Sequence, residues 1–137
     1  MNGYELSRLW FDFCFENPEK IKPNLILSYK ISPNKDYSRG GFYMIINRVT
    51  KMIYIGKSID YMARLKQHLY LSSNKTLIDK ELNYNPDLFD FYLLAKYEDI
   101  GINFFNRKLE TVIEHRFIGK ANSLYPNGYN NTYYGHL

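Results

Sequence analysis

Gly41-Phe42-Tyr43-Met44-Ile45-Ile46-Asn47 is followed, after a polar turn with Arg48, Thr50 and Lys51, by Ile53-Tyr54-Ile55-Gly56-Lys57-Ser58. Two short runs rich in β-branched and aromatic residues, split by turn formers, read as a β-hairpin. Side chains alternate across a strand, so Tyr43 faces away from Phe42 and Met44, and Tyr54 away from Ile53 and Ile55. A hairpin closing symmetrically about Val49 puts Tyr43 nearly opposite Tyr54, with both phenols on one face. A bulge in the turn would shift that register.

Ser58 stands where a helix N-cap is expected, and Met62, Leu65 and Leu69 recur at helical spacing as a buried stripe. Arg64 and His68 are four apart and so one turn above each other on a neighbouring face. Gly56 permits a close approach or a positive φ where strand turns to helix. A tyrosine pair, or an Arg and His one turn apart, is singly more often core or solvated surface than catalytic. Their occurrence in one ordered pattern reverses that judgement.

The pattern resembles the GIY-YIG nucleases. Gly41-Phe42-Tyr43 and Tyr54-Ile55-Gly56 stand at the family's spacing, with Arg64 eight residues after Gly56 and His68 four after Arg64. Phe42 replaces the name-giving isoleucine and keeps its apolar character. The resemblance implies an α/β chain of the α+β kind, with a small, mainly antiparallel three-stranded sheet flanked by helices. It also implies a divalent-metal-dependent DNA endonuclease.

Phosphodiester hydrolysis needs an activated water and relief of negative charge at the phosphate. A phenol, with a pKa of about 10, works as a base near neutrality only if its surroundings favour the phenolate. Lys57 is a cation placed to supply such a charge. The resemblance assigns Tyr43 as general base or relay, and Tyr54 as the group that orients water or phosphate. Arg64 would stabilise the phosphate, and His68 would bond a tyrosine or assist proton transfer. Lys57, Arg64 and Lys66 are the expected DNA-contacting cations, and Gly41 and Gly56 the motif glycines. A hard ion such as Mg²⁺ or Mn²⁺, one per site, calls for a carboxylate. Glu110 and Glu114 share a helical face. The family's glutamate precedes an aromatic and an isoleucine, and a later asparagine lies in a Gly-Tyr-Asn-like context. By resemblance, Glu114-His115-Arg116-Phe117-Ile118 and Gly128-Tyr129-Asn130 make Glu114 the metal ligand and Asn130 the residue closing the site, with Glu110 the fallback.

The remaining sequence supplies the frame. Residues 1–40 read as an N-terminal arm and 41–137 as the nuclease domain. In the arm, Leu6, Leu9, Trp10 and Phe13 make the inner face of a helix over 4–16, Cys14 a buried thiol, and Leu25 to Ile31 an extra strand. Pro18 ends the helix, Pro23 keeps the next segment extended, and 32–40 is a polar linker. Tyr4 to Pro18 also resembles the opening helix of phage winged-helix replication proteins, a hint of phage origin. Further on, Thr76 to Leu82 is a short helix, and Leu88 to Tyr97 is a central strand. Asn106 caps a helix running to about Lys120, with Leu109, Val112, Ile113, Phe117 and Ala121 inward, and the aromatic tail folds over it.

A chain of 137 residues with 45% hydrophobic content suits one core, and a net charge of +4 favours a polyanionic partner. One cysteine and three unclustered histidines argue against zinc. Without a leader or an apolar membrane span, cytoplasmic placement is expected. Double-stranded DNA is the expected partner. A homodimer or a targeting protein through the arm would supply targeting, since no recognition region follows Asn130. The rival reading is a catalytically silent DNA-binding or interaction module. An enzyme on RNA or branched DNA is the third.

Overall fold

The computed structural model describes residues 3–28, 39–71, 76–101 and 107–131. Strands β1 (Glu19–Ile21), β2 (Gly41–Asn47), β3 (Ile53–Ser58) and β4 (Phe89–Lys96) form one antiparallel sheet in the order β1-β4-β2-β3. The sheet therefore has four strands rather than the expected three. The fourth, β1, is three residues between Pro18 and Pro23, too short for a readable alternation, and it pairs with Tyr92 through Lys20.

The hairpin of β2 and β3 is present, and its register corrects the symmetric one. Tyr43 pairs with Gly56, and Tyr54 with Ile45. The two tyrosines keep a common face but stand diagonally, with ring centroids 6.2 Å apart. The turn sets this register. Asn47 Oδ1 accepts from the Val49 and Thr50 amides at 2.9 and 3.2 Å, and Lys51 takes a positive φ of 67°.

Helix α1 (Gly3–Glu16) ends just before Pro18, as expected, but it turns Phe11 and Cys14 inward. Leu9 and Phe13 are exposed, so the inward face differs from the one read by spacing. The segment expected as a strand begins with α2 (Pro23–Ser28), while 29–31 lie outside the described residues. Pro23 opens this helix because its fixed φ suits the first helical position, where no amide donor is needed. The described residues of the expected linker are Arg39 and Gly40 alone, and Asn106 and the tail beyond Asn131 are likewise outside.

The domain's first helix, α3 (Tyr61–Lys66), is capped by Asp60, whose Oδ1 accepts from the Ala63 amide at 3.1 Å. Ser58, the expected cap, ends β3 and hydrogen-bonds Asp60 instead. A π-helical turn, Gln67–Leu71, continues α3, and α4 (Leu77–Tyr84) follows with Thr76 as its cap. His68 and Leu69 of this turn are both buried. In α5 (Arg107–Ala121) the buried residues are Glu114, His115, Phe117 and Ile118. Leu109, expected inward, is exposed.

The sheet separates two cores. On one face Tyr43, Ile45, Phe91 and Leu93 pack with Leu65, Leu69, Ile78 and Leu82 of α3, its π-turn and α4. On the other, Phe42, Met44, Ile55 and Leu94 meet Phe11 and Cys14 of α1 and Phe117 and Ile118 of α5. Lys120 forms an ion pair with Asp12, and Arg116 lies over the Phe11 ring, so α1 is tied to α5. With β1 in the sheet as well, residues 3–21 are integral to the same fold.

After α5 the chain turns back onto β3. Asn130 Oδ1 accepts from the Ile55 amide and Asn130 Nδ2 donates to the Ile55 carbonyl, both at 2.9 Å, while the Ser123 hydroxyl donates to Oδ1 at 2.7 Å. Asn130→Ala leaves the Ile55 amide and carbonyl without these partners, at a cost on the order of 3 kcal/mol. Urea unfolding should show that loss, and Asn130→Asp, which keeps only the acceptor, should fall between.

Candidate active site

Tyr43 is the buried centre of the site. Its phenol lies where a Cβ on residue 56 would stand, so the glycine at position 56 is what admits the ring. Gly41 serves the neighbouring contact: a Cβ there would fall 2.7 Å from the Ala95 carbonyl oxygen, beside the register shift between β2 and β4. Both motif glycines thus act by leaving space.

Tyr43 Oη is 2.9 Å from His68 Nε2, and His68 Nδ1 is 2.7 Å from Asp79 Oδ1. Tyr54 covers the pair, with its ring centroid 5.3 Å from the imidazole. Burial pushes the Tyr43 phenol well above its ordinary pKa. Tyr54 and the Glu114 carboxylate add to the rise, and the Arg64 guanidinium opposes it. Tyr43 therefore rests as a neutral phenol. Arg64 itself is exposed on α3, the cation whose charge reaches both Tyr43 and Asp79.

Lys57 points elsewhere than expected. Its Nζ donates to the Thr111 hydroxyl of α5 at 2.8 Å, and its charge acts on Glu114. The cation expected to favour a phenolate thus faces the carboxylate. Lys66 is half-buried near the end of α3. Asn130 is buried with its amide spent on the Ile55 peptide, as described above.

Glu114 is 4% exposed, and its Oε1 is buried with no hydrogen-bond partner among the described residues. Burial raises its pKa to about 7, Lys57 opposes the rise and Glu110 adds to it. Glu110 is engaged otherwise, accepting a hydrogen bond from the Tyr97 hydroxyl. The structure thus brings Tyr43, Tyr54, Arg64 and His68 together on one side of the sheet. Glu114 and Lys57 meet against α5 at the edge strand.

The GIY-YIG catalytic-domain profile matches residues 39–130. The chain belongs to the GIY-YIG family. Its enzymatic class is accordingly that of a nuclease, a phosphodiester hydrolase. Among solved structures, a mutant of the catalytic domain of intron endonuclease I-TevI is similar in fold, with a TM-score of 0.56 at 22% identity. That match covers 70% of this chain and 96% of the other. No curated protein matches the sequence. No helix among the described residues is long and apolar enough to cross a membrane.

Asp79 is the site residue that sequence reading of this GIY-YIG chain missed. Thr76 and Asp79 have the spacing of a helix-capping pair, and Thr76 does accept from the Asp79 amide at 3.3 Å. The local reading accounts for the backbone and hides where the carboxylate goes.

Glu114 gives the site a measurable pH response. The unfolded carboxyl ionises near 4.5 and the folded one near 7, so metal-free stability falls as pH rises across that window and is level above it. The loss is on the order of 3 kcal/mol. Denaturation midpoints from pH 4.5 to 8 should therefore move in favour of Glu114→Gln over the native chain. Mg²⁺ or Mn²⁺ should restore the native chain at pH 8 and leave Glu114→Gln unchanged.

Proposed function

We propose that this chain is a divalent-metal-dependent DNA endonuclease in which Tyr43 relays a proton from the attacking water to His68. The observation that carries the reading is the 2.9 Å bond between the buried Tyr43 hydroxyl and His68 Nε2. A neutral phenol cannot remove a proton unless it surrenders its own, and His68 is the acceptor in contact. As the water oxygen bonds to phosphorus, the water proton passes to Tyr43 Oη and the Tyr43 proton to Nε2. The bond to the departing oxygen breaks, and that oxygen takes its proton from solvent. Tyr54 orients the water or the phosphate, and Arg64 offsets the charge gathering on the phosphoryl oxygens.

Glu114 fits the ion. Its buried, unpartnered oxygen is a hard donor, and Glu114 would act as a single protein ligand, since no group of three His, Cys, Asp or Glu gathers among the described residues. One carboxylate with the remaining positions held by water is how Mg²⁺ is commonly bound. When bound, the ion supplies positive charge to the phosphate and the departing oxygen. Lys57 keeps Glu114 disposed to ionise, and with Lys66 adds positive charge along the DNA path. Asn130 contributes by fixing the β3 backbone that carries Tyr54, Gly56 and Lys57. A second copy or a targeting protein would direct cleavage through the N-terminal region, whose α1 and β1 pack into the same fold.

Supercoiled plasmid incubated with Mg²⁺, Mn²⁺ or EDTA tests this. The native chain should nick with metal alone, while Arg64→Ala and Glu114→Gln, each shown to be folded, should lose about 100-fold or more. A folded native chain that cuts neither plasmid, single-stranded nor branched DNA in either metal overturns the reading. Cleavage confined to RNA would replace the substrate.

A further inference from the structure

We propose that Asp79 is a positioning residue for this reaction: it holds His68 in the tautomer whose Nε2 is free to accept the Tyr43 proton. The inference rests on the nuclease reading above and adds to it a residue of α4 outside the motif.

Neutral imidazole has one donor and one acceptor nitrogen, and what each does is decided by its partner. Burial pushes the Asp79 carboxyl up. Its hydrogen bonds with His68 and Thr76, helped by the Arg64 guanidinium, outweigh that and leave it below the ordinary carboxylate value. Asp79 is thus ionised and accepts only. His68 Nδ1, 2.7 Å away, must carry the hydrogen. Nε2 is then the lone-pair nitrogen, and the 2.9 Å contact is a bond donated by the Tyr43 hydroxyl. With the other tautomer, Nε2–H would point at Tyr43 and the relay would have no acceptor.

The groups facing His68 leave no other orienter among those in contact. Tyr43 of β2 and Tyr54 of β3 meet the imidazole with their rings, at centroid distances of 5.8 and 5.3 Å. Arg64, one turn earlier, is a cation and cannot accept a hydrogen bond. Among the described residues it is Asp79 that faces Nδ1 with an acceptor, from a side chain only 15% exposed. When His68 takes the proton from Tyr43, both its nitrogens carry hydrogen, and the Asp79 charge balances the imidazolium formed.

A purely structural role is available to Asp79, since an acidic residue in the first turn of α4 also favours the helix. Asp79→Asn and Asp79→Glu separate the two roles. Long-range nitrogen–proton correlation spectra of His68, on metal-free protein without DNA, should show Nδ1–H in the native chain and in Asp79→Glu. In Asp79→Asn a substantial Nε2–H fraction should appear. Plasmid cleavage by folded Asp79→Asn should lose about 100-fold in kcat with KM within a fewfold, and Asp79→Glu should recover much of it. An Nε2–H tautomer in the native chain overturns the proposal. So does Asp79→Asn that cuts within threefold of native at equal folded fraction. Since the spectra require no cleavage, a chain that cuts nothing yet shows Nδ1–H fails the nuclease reading. An active chain with Nε2–H fails the Asp79 assignment alone.

Discussion

The site depends on a missing side chain. Tyr43 is bulky, polar at its tip and fully buried, and the only place for its ring is the surface of its own hairpin partner at Gly56. Overpacking a core typically costs about 1–3 kcal/mol, and here the displaced group would be the phenol itself. With the ring laid across β3, its hydroxyl reaches past the sheet to the helical layer and ends on His68. The hairpin register, the depth of Tyr43 and the orientation of the imidazole are therefore one constraint expressed three times. Such closeness to the backbone is available only to glycine.

What surrounds the phenol follows from that burial. A group so far from water holds its proton, and a mechanism based on a resting phenolate would have to work against desolvation. The fold sets an imidazole against the phenol, with the Arg64 charge only partly offsetting the burial. Lys57, which the sequence places beside the motif, is drawn to α5 by Thr111 and Glu114 because adjacent strand residues point to opposite faces. Gly56 and Lys57 are neighbours in sequence and serve different sides of the sheet.

Much of this was legible beforehand, and the reasons are physical. The hairpin, the helix bearing Arg64 and His68, the buried central strand β4 and the long α5 each carry a period or composition that survives folding. Misreadings arose where a local rule had two solutions. Symmetric closure of the hairpin gave way to the turn built on Asn47, moving Tyr43 from near Tyr54 to Gly56. Ser58 and Asp60 are both good caps, and the chain uses the second. Helix α1 has one polar edge, Glu5, Arg8, Asp12 and Glu16, and a wide apolar arc, so spacing alone could not say that Phe11 and Cys14, rather than Leu9 and Phe13, face the core. β1 has too few residues to signal itself, and Asp79 lies within a short helix whose sequence carries no sign that its carboxylate meets His68.

The two-sided core carries a consequence for the half-folded chain. The proposed relay of Tyr43 and His68 is fastened to the layer of α3 and α4, and Glu114, the proposed ligand, to α5 on the opposite layer, with β3 between them. Neither layer alone assembles the proposed centre. A half-folded chain with only the first layer in place would hold its phenol and imidazole without the ion that completes them. In the proposed mechanism, cleavage therefore requires both layers to be packed on the one sheet.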